Sequence, residues 1–308
     1  VVAAICFGTL GPLSRFAADA GFTAVSFAVW RSISAAVALT AILVVGYRLR
    51  RIPATPLRSI ARFEWLQLLA MGLFVAGTTL GLFFAFERTS IAIALMVFYT
   101  FPIIVAAAAV PIYGEHLDAR KIGAIGLASV GLLLLLATPA DGETASIDPA
   151  GVFFALCASL CQVGFALVGA RGFRSVPSLQ SAALARGFSL GSYVVLMFPV
   201  LLFLGQAPSL TEPLGSAEAW LIILFAGVIS AGLPAVLQIS GYRRIGPSRG
   251  AVLMLVEPLT GVVLAALLLA ERPAPLQLVG GLLLLSGAAL AQLRPTSKQP
   301  LQRPLTTE

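Results

Sequence analysis

The sequence predicts an all-α polytopic membrane protein, with ten transmembrane helices arranged as two inverted five-helix repeats. Three observations carry this expectation. The 308-residue chain is 59% hydrophobic and only 11% charged, with a mean hydropathy of +0.98, whereas soluble domains carry about 25% charged residues. Apolar runs near ~20 residues follow one another along the chain, the length that crosses a hydrocarbon core. Landmark residues also recur at a nearly constant offset.

In chain order the runs lie at 1–18, 24–47, 64–86, 90–113, 121–138, 150–168, 179–204, 217–240, 247–270 and 274–293. Backbone polar groups in lipid must be satisfied within their own segment, so each run is read as a helix. The runs are continuously apolar rather than alternating, which argues against a β-barrel. The first run starts at Val1 without a methionine and is apolar at once, so the chain is expected to be a trimmed one. Two connectors, "ERTS" at 87–90 and "ERPAP" at 271–275, are short enough to join only antiparallel neighbours. The first five runs form a half at 1–138, followed by an outside linker at 139–149 and a second half at 150–293. The tail at 294–308, "RPTSKQPLQRPLTTE", is proline-rich and polar, and is read as a disordered cytoplasmic end.

Charge orients the runs. With a cytoplasmic N-terminus, the inside loops hold Arg48, Arg50, Arg51, Arg58, Arg62, Arg120, Lys121, Arg171, Arg174, Arg243, Arg244, Arg249, Arg294, Lys298 and Arg303. The outside face holds only Arg15, Arg88 and Arg272, so the bias is fifteen to three. Both termini are therefore expected in the cytoplasm. Asp19, Glu87, Asp141, Glu143, Asp148, Glu212, Glu218 and Glu271 fall outside. The pI near 9.9 follows from this topology and from contact with the anionic lipid bilayer, and no nucleic-acid partner is expected.

The repetition is sharpest in two stretches, "FPIIVAAAAVPIYGEHL" at 101–117 and "EPLTGVVLAALLLAERP" at 257–273. Pro102 and Pro258, Glu115 and Glu271, and Gly131 and Gly287 are each 156 positions apart. Arg31 and Arg186, like Ser34 and Ser189, are 155 apart. Five helices per half is an odd number, so the second half enters the membrane from the opposite side. That is the inverted repeat in which one half rocks against the other around a midplane site.

On these residues the chain resembles the drug/metabolite transporter superfamily, EamA-type. Its hallmark is a mid-span proline followed by small apolar residues and a glutamate at the helix end, here Pro102 with Glu115 and Pro258 with Glu271. Within that superfamily it is most similar to the YddG-type bacterial exporters of aromatic and other amphipathic amino acids. The resemblance implies a central cavity between the halves and export of small metabolites across a bacterial inner membrane.

Only Glu257 breaks the symmetry of the halves, since its mate is Phe101. A charge at this depth normally faces water, protein or ligand. Two readings stay open: a site for a substrate ammonium or a transported proton, and a structural acid bonded to a neighbouring helix. Tyr99 precedes Pro102 by three residues and presents a ring and a hydroxyl near the midplane. Gln162, Gln238, Thr78 and Thr79 lie deep in their spans, as cavity lining or as glue between helices. Phe83, Phe98, Trp30 and Met254 offer an apolar slot for an aromatic side chain, or ordinary packing. Arg31 and Arg186 lie about seven residues inside their spans, on opposite sides, and either guide a substrate carboxylate at a mouth of the path or snorkel to the headgroups. Pro102 and Pro258 are read as helix bends.

Enzyme readings find little support. His116 is the one histidine, and no HExxH, Walker A or paired-aspartate motif occurs. Cys6, Cys157 and Cys161 suggest neither a metal site nor a disulfide. No cofactor is expected, and without a nucleotide-binding segment transport runs downhill or is ion-coupled. The expectation is a secondary transporter exporting amino acids, aromatic ones favoured. The alternatives are another small metabolite or drug on the same fold, in either direction, or an integral membrane enzyme. A monomer is expected, with a dimer left open.

Overall fold

The computed structural model describes residues 1–137, 148–196, 212–268 and 274–293, and every regular element within them is helical. The helices are α1 (Val2–Gly8), α2 (Leu10–Asp19), α3 (Ala24–Arg48), α4 (Arg62–Phe86), α5 (Ile91–Phe98), α6 (Phe101–Tyr113) and α7 (Ala119–Leu136). After these come α8 (Pro149–Arg171), α9 (Ser178–Leu196), α10 (Ala217–Gly227), α11 (Leu233–Ile245), α12 (Pro247–Met254), α13 (Val256–Leu268) and α14 (Pro275–Gln292). Most of the expected linker, the expected tail and Glu271 lie outside the described residues.

Local chemistry sets many of the helix starts. The side chains of Thr23, Ser90, Asp118, Asp148 and Ser216 each accept a backbone N–H of the first turn, at 2.8 to 3.4 Å, satisfying a donor that has no partner within the helix. Pro149, Pro247 and Pro275 open α8, α12 and α14, where a missing N–H costs nothing. Gly114, at φ 64°, closes α6 in the left-handed region.

Eight helical stretches among the described residues are long and apolar enough to cross a membrane. They are Ser26–Arg48, Arg62–Phe86, Ile91–Tyr113, Ala119–Leu136, Pro149–Arg171, Ala217–Ile245, Pro247–Leu268 and Pro275–Gln292. Each corresponds to an expected run. The expected run at 1–18 is divided at Thr9 into α1 and α2, and only the part of the run at 179–204 up to Leu196 is described, as α9. Both pack inside the bundle: α1 lies against α11 and α13, and α9 lies between α3 and α4.

Three of the long stretches are interrupted. A break at Tyr99 and Thr100 separates α5 from α6, and one at Leu255 separates α12 from α13. Between α10 and α11 the chain makes a π turn over Val228–Gly232, closed by the Leu233 N–H bonding to the Val228 carbonyl. Pro234 follows at once, and its missing N–H disturbs the α-helical ladder at this point.

Large apolar side chains are exposed while polar ones are buried beside the apolar core. Leu267 is 74% exposed, Val195 70% and Leu221 69%, while Ser189 is 0%, Gln238 6% and Arg186 7% exposed. A lipid solvent accounts for both ends of that range. With the length of the spans, it makes the chain a multi-pass membrane protein.

Small residues let the backbones touch where helices cross. At the α7–α14 crossing, a methyl group on Gly131 would fall 2.5 Å from the Leu284 nitrogen, and one on Gly287 would fall 2.7 Å from the Ala128 nitrogen. Elsewhere, Gly72 of α4 sits against Ala185, Phe188 and Ser189 of α9, and Gly227 of α10 sits against Ser34 and Ala35 of α3. Overpacking such a contact typically costs about 1–3 kcal/mol. Gly131→Val is therefore expected to lower the unfolding midpoint in detergent micelles by several degrees. Gly126→Ala, at a position with nothing within 4 Å of the added carbon, is expected to leave it unchanged. Equal midpoints for the two variants would contradict close backbone packing at this crossing.

Candidate functional site

The interruptions of the spans bring polar side chains together inside the bundle. Glu257 lies in the first turn of α13, just after the break at Leu255. The N-terminal end of a helix favours a carboxylate there. Across from it the Tyr99 hydroxyl, carried by the α5–α6 break, donates a hydrogen bond to the Glu257 carboxylate. On another side α1 approaches so closely that a methyl group on Gly8 would fall 2.7 Å from the Glu257 carbonyl oxygen. Glu257 nevertheless keeps partial accessibility while protein surrounds it, as expected of a group facing an internal space rather than lipid.

Around this pair lie groups from other helices. Arg31 of α3 is within electrostatic reach of the Glu257 carboxylate and of Tyr193 of α9. Arg186, two turns before Tyr193 on α9, is within reach of Arg31 and Tyr193 in turn. The Arg186 Nη2 donates to the Ala231 carbonyl at 3.1 Å, in the π turn. The Tyr242 hydroxyl of α11 accepts from Gln238 Nε2 at 3.1 Å, is hydrogen-bonded to Gln162 of α8, and is within reach of Glu257. Thr9 and Ser230 share a 2.6 Å hydrogen bond that ties the π turn to the α1–α2 junction.

Six of the residues expected from the sequence thus belong to one polar cluster: Tyr99, Glu257, Arg31, Arg186, Gln162 and Gln238. Arg31 and Arg186, expected near opposite mouths, lie within electrostatic reach of each other, and the Nε of each is buried without a hydrogen-bond partner among the described residues. Of the apolar candidates, Phe83 packs beside Tyr193. Phe98 stands edge-on to Tyr99 with ring centroids 5.0 Å apart. Met254 lies in the main core. Trp30 meets Trp220 edge-on at 5.8 Å in a separate cluster with Phe22 and Phe27. Thr78 donates to the Ala158 carbonyl at 3.5 Å across the α4–α8 contact, and Thr79 bonds back to Val75 of its own helix at 3.1 Å. Pro102 opens α6 and Pro258 lies in the first turn of α13, so both sit just after breaks.

Sequence reasoning missed two members, Tyr193 and Tyr242. Both carry a helical signal: Arg186, Ser189 and Tyr193 are spaced i, i+3, i+7 on one face, and Gln238 and Tyr242 are spaced i, i+4.

At the arginine-rich end of the bundle a second network joins the loops. Glu64 accepts from the Ser175 backbone N–H at 3.0 Å and from the Ser175 hydroxyl. Thr55 and Gln180 exchange two bonds, at 2.8 and 2.7 Å. Arg243 Nη2 donates to the Phe173 carbonyl at 2.9 Å, and Lys121 pairs with Glu115 at 2.9 Å. The stretch before α4 is thereby latched to the loop between α8 and α9.

A fold of membrane-crossing helices with a polar cluster buried among them defines the class of multi-pass membrane proteins. Comparison with known proteins agrees. The model of the EamA-like transporter family matches residues 1–137 and again residues 149–293, and the chain belongs to that family. It is 24% identical over 233 residues to the uncharacterized transporter YxxF of Bacillus subtilis, covering 76% of this chain and 71% of that one. It is 25% identical over 224 residues to an uncharacterized transporter of Archaeoglobus fulgidus, covering 73% and 75%. A crystal structure at 19% identity covers 94% of both chains with a TM-score of 0.73, and shows the fold.

Removing one partner of a buried hydrogen bond costs about 1–3 kcal/mol. Glu64→Ala is accordingly expected to lower the unfolding midpoint by a few degrees and to speed proteolytic cleavage in the loop at 172–177. Wild-type cleavage kinetics in the variant would show that Glu64 does not hold the latch.

Proposed function

We propose that this family member is a secondary transporter that exports small amphipathic metabolites, amino acids and foremost aromatic ones, from the cytoplasm. Its two inverted five-helix halves alternate access around the buried polar cluster. The observation that carries this reading is the cluster itself: one carboxylate and two guanidinium groups held inside an apolar bundle by four breaks and turns. Opposite charges at that depth suit a zwitterion with an apolar side chain, and Phe83 and Phe98 lie beside the polar groups.

The inverted repeat is supported by the double match of the family model and by the way the crossings pair off. Under the 156-residue offset, the contact of Gly131 with Leu284 becomes that of Gly287 with Ala128. Under the 155-residue offset, the contact of Gly72 with Ser189 becomes that of Gly227 with Ser34. The breaks at 99–100 and 255 obey the same offset. The charge bias supports a bacterial inner-membrane protein with both termini cytoplasmic. In that frame the latch at Glu64 and Ser175 is an inner gate joining the two halves. Membership in a transporter family supports a non-enzymatic role.

Counterflow in proteoliposomes tests the reading. Saturable exchange of labelled phenylalanine is expected, and no exchange across a broad panel of amino acids and other small metabolites would sink it. If Glu257 carries a coupling proton, Glu257→Gln abolishes the dependence of transport on a pH gradient while exchange at equal pH persists. An unchanged pH response in that variant assigns Glu257 to binding or to structure.

A further inference from the structure

We propose that Arg186, Arg31 and Tyr193 form an anion subsite that takes the carboxylate of the cargo, an inference that rests on the transporter reading above. Three donors carry it. Arg186 is 7% exposed and Tyr193 4% exposed. The Nε atoms of Arg186 and Arg31 and the Tyr193 hydroxyl are all buried without a hydrogen-bond partner. Buried donors without acceptors are uncommon in native proteins, and each calls for a specific explanation. Here three of them belong to side chains within electrostatic reach of one another.

The charge balance points the same way. Arg31 has the Glu257 carboxylate within reach. Arg186 has the other guanidinium, a tyrosine hydroxyl and the Ala231 carbonyl around it, and no carboxylate among the described residues acts on it. Among the described residues of the cluster, two guanidinium groups and one carboxylate carry an excess of one positive charge, which favours an anionic ligand at this depth. That excess of one charge fits a monoanion. Two arginine donors and a hydroxyl match the two oxygens of a carboxylate, which together accept up to about four hydrogen bonds.

The surroundings define the rest of the ligand. Tyr193 shares a cluster with Ala76, against which Val29, Leu80, Phe83 and Leu190 pack, an apolar wall suited to the stem behind the carboxylate. Arg186 is anchored on the π turn by its Nη2, so its remaining edge is held in place rather than free to swing toward the headgroups. Glu257 acts on Arg31, whereas Arg31 and Tyr193 are the groups acting on Arg186, which distinguishes an anion pole from a cation pole. The Arg31–Arg186–Tyr193 group is then a carboxylate clamp, and a ligand with a carboxylate and no amine still engages it.

The test uses the purified full chain in detergent micelles, in low-salt zwitterionic buffer, with phenylalanine, phenylacetate, phenethylamine and chloride as probes. Their affinities are read by calorimetry, and the ligand-free unfolding midpoint of each variant shows that it folds. Phenylalanine and phenylacetate are expected to bind, and phenethylamine at least about tenfold more weakly. Tyr193→Phe, which keeps the ring packing, is expected to weaken both carboxylates several-fold, and Arg186→Gln to abolish their advantage over the amine. Binding of phenethylamine equal to that of phenylalanine, or carboxylate binding unchanged in both variants, overturns the subsite. So does a site that chloride saturates while the carboxylates do not compete with it, which would be a counter-ion site only. The two readings fail separately. Arg186-dependent binding of phenylacetate without any amino-acid exchange supports the subsite and refutes amino-acid cargo. Equal exchange of phenylalanine and phenethylamine refutes the subsite and leaves the transporter reading standing.

Discussion

The hydrogen bond between Tyr99 and Glu257 answers the constraint on which the rest of the structure depends. In a bilayer interior no water is at hand to solvate a carboxylate, so its partners must come from the protein. That requirement places a hydroxyl on one interrupted span opposite an acid on another. It also explains why Arg31 lies near the acid rather than reaching for the membrane surface. Once these groups face inward, the outer surfaces of the same helices are left to Leu, Val and Phe, as the exposed residues show.

Close helix approach is the second half of the arrangement. A polar cluster contributed by α3, α8, α9, α11, α13 and the α5–α6 break needs many helices near one axis. Glycines at the crossings remove the side chains that would keep the backbones apart. The breaks supply what straight helices lack, namely backbone groups and first-turn positions inside the bundle, where the Glu257 carboxylate and the Arg186 guanidinium find partners. The latch at the arginine-rich end works differently: its bonds join loops through short polar side chains that meet one another directly.

Much of this was legible in the sequence because lipid imposes simple rules. Run length gave the eight spans found among the described residues, and the lone acid at Glu257 stood out against its mate Phe101. The division of the first run at Thr9 has a local signal, since Gly8, Gly11 and Pro12 flank it and Pro12 lacks the N–H that would bond to the Gly8 carbonyl, but the hydrogen bond from Thr9 to Ser230 was not legible. The direction of the arginines was not legible either. A residue seven positions inside a span can extend to the headgroups or fold inward, and the choice depends on acceptors donated by other helices, which spacing alone does not reveal. Tyr193 and Tyr242 escaped for a related reason: each sits on a face defined by residues one and two turns away, and only the folded bundle shows that those faces converge.

The π turn at Val228–Gly232 has a consequence for everything after it on that span. Such a turn accommodates one residue more than an α-helical turn, and each residue advances an α-helix by about 100°. Relative to an uninterrupted helix, the stretch carrying Gln238 and Tyr242 is therefore rotated by roughly a quarter of a revolution about its axis. The same extra residue holds Ser230 against Thr9 and offers Ala231 to Arg186. The direction in which the lower half of this span faces is thus set by a phase shift stored in the backbone, and a change in that phase would reach α1, α9 and the glutamine–tyrosine pair together.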